Sequence, residues 1–260
     1  MRALVTNDDG IDSPGLAVLA RAALDAGLEV TVVAPATEHS GAGAALFGVE
    51  HDGRLAVEER PCPDLPDGVR SLAVGGAPAL LTFLAADGGF GPRPDVVLSG
   101  VNRGPNTGSA VLHSGTVGAA LCAATHGIPA VAVSLDAADP QHWATAEVVV
   151  ARVLPWVMAQ PAERGVLNVN VPDLPVDRVR GLRAAPLARF GAVQTTVDAD
   201  DSGRHTVRFI EPDRGQDPDS DAGLLAGGWA TLTLLQAPCY DASAQLPEHL
   251  GPLATGGRAG

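Results

Sequence analysis

The sequence predicts an α/β fold in which a mostly parallel sheet is flanked by helices, with an antiparallel β extension towards the C-terminus. Three observations lead there. Short apolar runs alternate with helix-period segments through the first two thirds of the chain. A glycine-rich stretch, SGVNRGPNTGS, follows one of the β-branched runs. Beyond about residue 180, strand-like stretches succeed one another across acidic, glycine-containing sequence. On this pattern residues 1–178 form one domain, and residues 179–260 form a β extension and tail.

Ala3 to Thr6 reads as a short buried strand, Pro14 to Ala26 as a helix and Glu29 to Ala34 as a second strand. Ser13 is placed as the N-cap with Pro14 at the first helical position, and Gly27 closes the helix. Ser40 to Val74 breaks the rhythm with Gly, Pro and charge, and is expected to hold short strands or a hairpin excursion. Ala77 to Ala86 returns to helix, Asp95 to Ser99 is a strand, Ser114 to His126 a helix, and Ile128 to Leu135 a strand with Pro129 at its start, where proline is tolerated. Ala144 to Met158 is a helix that Pro155 is expected to kink or end early. Val166 to Asn170 is the last strand of this unit, and Thr206 to Ile210 and Trp229 to Leu235 are strands of the extension.

The 260 residues suffice for a substantial core, and with 46% hydrophobic but 3% aromatic residues that core is built from Ala, Val and Leu. A formal net charge of −13 argues against a nucleic-acid partner, because nonspecific affinity comes from neutralising backbone phosphates. A small anionic substrate would need a local positive centre such as a metal ion. The apolar run near the N-terminus is too short for a signal peptide or a spanning helix, so a cytoplasmic location without a membrane partner is expected. Cys62, Cys122 and Cys239 lack a CxxC pair and read as ordinary thiols.

In an open α/β sheet, ligands bind at the carboxyl ends of strands. Asn7, Asp8 and Asp9 follow the first strand, His39 and Ser40 the second, and Asn102 and Asn106 the strand ending at Ser99. Adjacent carboxylates at a strand end repel each other unless a cation or a shared proton relieves the charge, and oxygen donors from Asp, Ser and Asn suit a hard ion such as Mg²⁺ or Mn²⁺. An isolated Asp-Asp-Gly would read as a surface turn; its coincidence with the other two strand ends points to a site. Ser114, Gly115 and Thr116 stand where a helix begins, a place that suits a phosphate as well as simple N-capping. His39 and His113 adjoin these positions and could protonate a leaving alkoxide. Neither a Walker lysine motif nor a dinucleotide fingerprint is present, which disfavours a dinucleotide-dependent oxidoreductase.

The segments TNDDGIDSPGL, VVAPATEHSGAG, PDVVLSGVNRGPNTG and LHSGTVGAALCAATHGIPAVAVSL resemble successive signatures of the SurE family, the stationary-phase survival 5′/3′-nucleotidases. NVNVPDLP and GGWATLTLL resemble its downstream segments. The resemblance implies a Rossmann-like domain, one divalent metal ion, hydrolysis of small phosphomonoesters such as nucleoside monophosphates, and homodimers or homotetramers assembled through the C-terminal extension. It carries the metal ligands onto Asp8, Asp9, Ser40 and Asn102, with Asp8 and Asp9 also catalytic. It carries phosphate contacts onto Asn106, Ser114, Gly115 and Thr116, and Asn7 is taken as phosphate- or substrate-binding with them. Where the family commonly has two acidic residues this chain has Ser109 and Ala110, and His113 stands in place of the usual Tyr. Substrate preference is therefore open: a specialised sugar or metabolite phosphatase of the same fold, and a noncatalytic nucleotide sensor, are the alternatives.

Overall fold

The computed structural model describes residues 1–48, 52–189, 194–199, 205–210 and 217–236. Arg2–Thr6 forms β1, and Pro14–Asp25 forms α1, which returns the chain to β2, Glu29–Pro35. Then come β3 (Val57–Glu59), β4 (Arg70–Val74), α2 (Pro78–Ala86), β5 (Val96–Arg103) and, after a 3₁₀ turn at Gly108–Leu112, α3 (Gly115–Thr125). β6 (Ala130–Leu135), α4 (Trp143–Met158) and β7 (Val166–Val171) complete the alternation. The remainder supplies β8 (Leu182–Ala184), β9 (Gln194–Ala199), β10 (His205–Ile210), the short α5 (Asp221–Ala226) and β11 (Ala230–Leu235).

Nine strands make one sheet in the order β3-β4-β2-β1-β5-β6-β7-β11-β8. β4, β2, β1, β5, β6 and β7 run parallel; β3 is antiparallel to β4, and β11 is antiparallel to β7. β9 and β10 pair with each other as a separate antiparallel hairpin. The expected fold class is therefore found, with part of the β extension entering the main sheet.

The strands read as continuous apolar runs because both faces are covered. Ala3 and Val5 of β1 face a cluster with Leu16 and Leu19 of α1 and Val150 and Leu154 of α4. Leu4, one residue out of phase, faces Leu81 of α2 and Val117 of α3. This alternation fixes the register of the central strands, since a one-residue slip would exchange the two cores.

The interval from Ser40 to Val74 holds short strands as expected, β3 and β4, which pair antiparallel. What the sequence did not announce is that β4 also pairs in parallel with β2, from Thr31↔Arg70 to Pro35↔Val74. The signal was hidden by the Gly- and Pro-rich approach, after which only the five residues of β4 carry it. Pro155 does not end α4 early: the helix continues to Met158. So near the C-terminus little helical hydrogen bonding remains for proline to remove, while Val153, Leu154 and Val157 are buried beneath it. Ser13 occupies the N-cap as expected, yet its hydroxyl makes no capping bond.

Candidate functional site

β2, β1 and β5 are neighbours and run parallel, so their carboxyl ends lie side by side. The three polar clusters are thereby brought to one rim. β1 is also where the order reverses, its helix-linked successor β2 lying on one side and β5 on the other, the crevice at which open α/β sheets hold ligands.

Asn7 builds the turn beneath the acid pair. Its Oδ1 accepts from Gly10 N at 3.1 Å and its Nδ2 donates to Gly10 O at 3.1 Å. Gly10 adopts a positive φ of 97°, which frees the chain to turn back against β2, where Ile11 N donates to Pro35 O. Asp8 is buried and Asp9 partly so. The Thr116 hydroxyl donates to Asp8 Oδ1. Backbone N–H groups of Gly115 and Thr116 also serve the Asp8 carboxylate, so the start of α3 is aimed at it. Gly115 permits this approach: a Cβ there would stand 2.8 Å from both Cβ and Oδ2 of Asp8.

Burial pushes the Asp8 carboxyl above its ordinary value, against the pull of these donors. Asp9 is pushed up to about 6, first by burial and then by the charge of Asp8; the Arg103 N–H and the Arg103 charge work the other way. Arg103 N donates to Asp9 Oδ2 at 3.2 Å. Among the described residues no Arg or His forms an ion pair with either carboxylate.

The other two strand ends close around this pair. His39 N donates to Asp8 O at 2.7 Å, and the neighbouring Ser40 hydroxyl donates to Glu38 Oε1 at 2.5 Å. The His39 ring leans on Phe47 at 5.3 Å. The loop holding both is tied to the start of α3 by Gly43 N, which donates to His113 O at 3.1 Å. Between Ser99 and Asn102 the pairing of β5 with β6 shifts register, and such irregularities re-aim side chains at strand ends. Asn102 Nδ2 donates to Gly104 O and Arg103 O, so the amide oxygen is the atom left as an acceptor.

The donor set fits a hard cation. Asp9 Oδ1 and Asn102 Oδ1 carry no protein donor among the described residues, while the rest of each group is anchored. Among the described residues no group of three or more His, Cys, Asp or Glu is placed to hold a metal, so the acid pair would need further oxygen donors, and Asn102 and Ser40 stand at the two neighbouring strand ends.

Asn106 lies deeper. Its Nδ2 donates to Ser134 Oγ at 2.8 Å, its N–H donates to Asn170 Oδ1 at 2.7 Å, and its carbonyl accepts from both Asn168 and Asn170. Ser114 caps α3, its Oγ accepting from Val117 N at 3.1 Å. Ser109 and His113 are exposed, on the 3₁₀ turn and at its end. Sequence reasoning missed Ser134, Asn168, Asn170 and Asp221, the last accepting from Gly108 N at 3.0 Å. VLNVNV carried a usable signal: asparagines two apart in a buried strand share one face and demand partners.

This is a Rossmann-like α/β protein with an acidic, oxygen-rich cluster at the switch point of its sheet. The profile of the family described as survival protein SurE matches residues 3–194. The chain is 38% identical over 250 residues to the 5′/3′-nucleotidase SurE of Serratia proteamaculans, covering 94% of each chain. It is 36% identical to that of Edwardsiella ictaluri over the whole of both chains. The crystal structure of SurE from Aquifex aeolicus superposes with a TM-score of 0.77 at 26% identity, over 93% of this chain and 95% of the other. The chain belongs to the SurE survival-protein family.

Proposed function

We propose that this chain is a phosphomonoesterase that depends on one divalent ion, Mg²⁺ or Mn²⁺, and hydrolyses nucleoside 5′- and 3′-monophosphates. The observation that carries the reading is the juxtaposed Asp8 and Asp9, raised in pKa, unrelieved by any described ion pair, and ringed by oxygen donors from two further strand ends. The relatives named 5′/3′-nucleotidase SurE support the same chemistry over nearly the full length.

Asp8, Asp9, Ser40 and Asn102 would hold the ion. When bound, it supplies positive charge to phosphoryl oxygens and acidifies water. The protein's own part is orientation and proton transfer. The second hydrogen of Asn106 Nδ2 and the hydroxyl proton of Ser114 are the donors left for the phosphoryl group, with the dipole of α3 behind them. Asn7, Gly115 and Thr116 keep the acid pair in place beneath it. Asp9, whose Oδ1 takes no protein donor among the described residues, accepts the proton of the attacking water; an acyl-phosphate trapped by rapid quench would instead make a carboxylate the nucleophile. His39 and His113 stand on two loops joined by the Gly43 N–H to His113 O bond, and one of them is proposed to protonate the leaving alkoxide.

Ser109, Ala110 and His113 are proposed to tune the substrate. Losing two acidic side chains beside an anionic ligand changes the local energy by about 1 kcal/mol each at intermediate dielectric. The deciding experiment is phosphate release from nucleoside 5′- and 3′-monophosphates, sugar phosphates and an aryl phosphate with Mg²⁺ or Mn²⁺, in wild type, S109D/A110D and H113Y. Turnover of nucleoside monophosphates is expected, with the ranking altered in the variants. No release from any ester would leave the noncatalytic sensor as the better reading. We also propose a cytoplasmic homodimer or homotetramer; the net charge of −13 argues against a nucleic-acid partner, and among the described residues no helix is long and apolar enough to cross a membrane.

A further inference from the structure

The side chain of Asp221 is fully buried and accepts three backbone N–H groups: Gly108 at 3.0 Å on Oδ2, and Ala188 and Ala222 at 2.8 Å on Oδ1. No cation pairs with it among the described residues. It therefore ties three remote segments, the loop after β5, the strand region after β8 and the start of α5, at one point. α5 itself is seated tightly, since a Cβ on Gly223 would stand 2.1 Å from Asp217 O. Two residues before Gly108, the backbone of Asn106 is gripped from β7: Asn170 both accepts its N–H and donates to its carbonyl, and Asn168 donates to the same oxygen. Both asparagines are fully buried. A loop three residues long, Asn106 to Gly108, is thus fixed at one end by side chains of β7 and at the other by Asp221 of α5.

We infer that Asp221, with Asn168 and Asn170, is a positioning residue for the reaction, holding the Asn106–Gly108 loop so that the Asn106 amide meets the phosphoryl group. The assignment rests on the phosphomonoesterase reading. It separates two halves of the site: the carboxylates follow β1 and Asn102 stands on β5, whereas the phosphate-facing loop is set by α5 and β7. Damage to the brace should therefore change turnover and leave cation binding alone.

Near-isosteric variants test this. In D221N the oxygen must stay with Ala188 and Ala222, which turns the amide NH₂ onto Gly108 N–H and breaks that bond alone. In N170D the acceptor for Asn106 N–H survives, while a carboxylate oxygen replaces the donor to Asn106 O. Each is measured for hydrogen exchange across residues 104–112, for kcat and KM, and for Mn²⁺ affinity by calorimetry, with a thermal melt to verify folding; either variant suffices if the other melts below the assay temperature. Expected are faster exchange, kcat lower by about 10-fold or more, and Mn²⁺ affinity within about 2-fold, since displacements on the order of 1 Å are costly to positioned catalysis. Unchanged exchange, unchanged kcat, or Mn²⁺ affinity falling in parallel with kcat would overturn the inference. The wild-type arm tests the functional reading separately: its failure would show there as no phosphate release, whatever the exchange does.

Discussion

Asp8 and Asp9 have opposite needs from the same surroundings. Burial and mutual repulsion favour protonation, while the Thr116 hydroxyl and the backbone donors favour charge. Replacing either by Asn removes a charge that the site is built to hold, and kcat should fall at least ~10²-fold with the circular dichroism spectrum retained, the scale seen when positioned electrostatic or proton-transfer groups are lost. The same residues set a pH dependence. Because both carboxyls lie above their ordinary value when folded, the folded chain binds more protons than the unfolded one between that value and about 6 for Asp9. Their contribution therefore favours folding in acid and declines as pH rises through this window. A divalent ion offsets the repulsion, so the rise in Tm on adding Mn²⁺ is expected to be larger at about pH 7.5 than at about pH 4.5. Equal rises at both pH values would contradict the assignment of the ion to this pair.

At the scale of elements, the site depends on how closely helices press on strand ends. A Cβ on Gly15 would stand 2.1 Å from Val101 O, so α1 begins directly against the backbone of β5 just ahead of Asn102. Gly15→Ala should force α1 and β5 apart, lowering stability by about 1–3 kcal/mol as overpacking does and weakening cation affinity; denaturant unfolding and calorimetry check the two effects. Contacts of this kind explain what was legible in the sequence. The strands and helices flanking Asp8, His39 and Asn102 announced themselves by apolar period and by Gly and Pro punctuation, and the strand-end rule then gathered those residues without coordinates. β4 was obscured by its Gly- and Pro-rich approach, and Asp221 was invisible because its partners are backbone amides of Gly108 and Ala188, set by the tertiary path and not by local pattern. The tail expected at the end of residues 179–260 lies outside the described residues, as does Cys239; Cys62 and Cys122 are free thiols, as expected.

For the whole molecule, a net charge of −13 repels an anionic ester at long range, and attraction must arise locally from the cation. Dialysis against excess chelator should abolish phosphate release, and Mn²⁺ or Mg²⁺ should restore it; full turnover without either would reject the mechanism. Light scattering at micromolar concentration should give a dimer or tetramer, and a monomer would contradict the proposed assembly.

The sheet order carries a consequence for how the chain is made. β11 lies inside the sheet, between β7 and β8, although it is later in the chain than either. While the polypeptide emerges from the ribosome, β7 therefore waits with one edge unsatisfied until almost the last described residues are synthesised, and β8 cannot add to the sheet before β11 arrives. An apolar parallel sheet with an open edge is prone to pair with other chains. Nascent or prematurely terminated forms ending before Ala230 should therefore be recovered bound to chaperones or in the insoluble fraction, while the complete chain is recovered soluble.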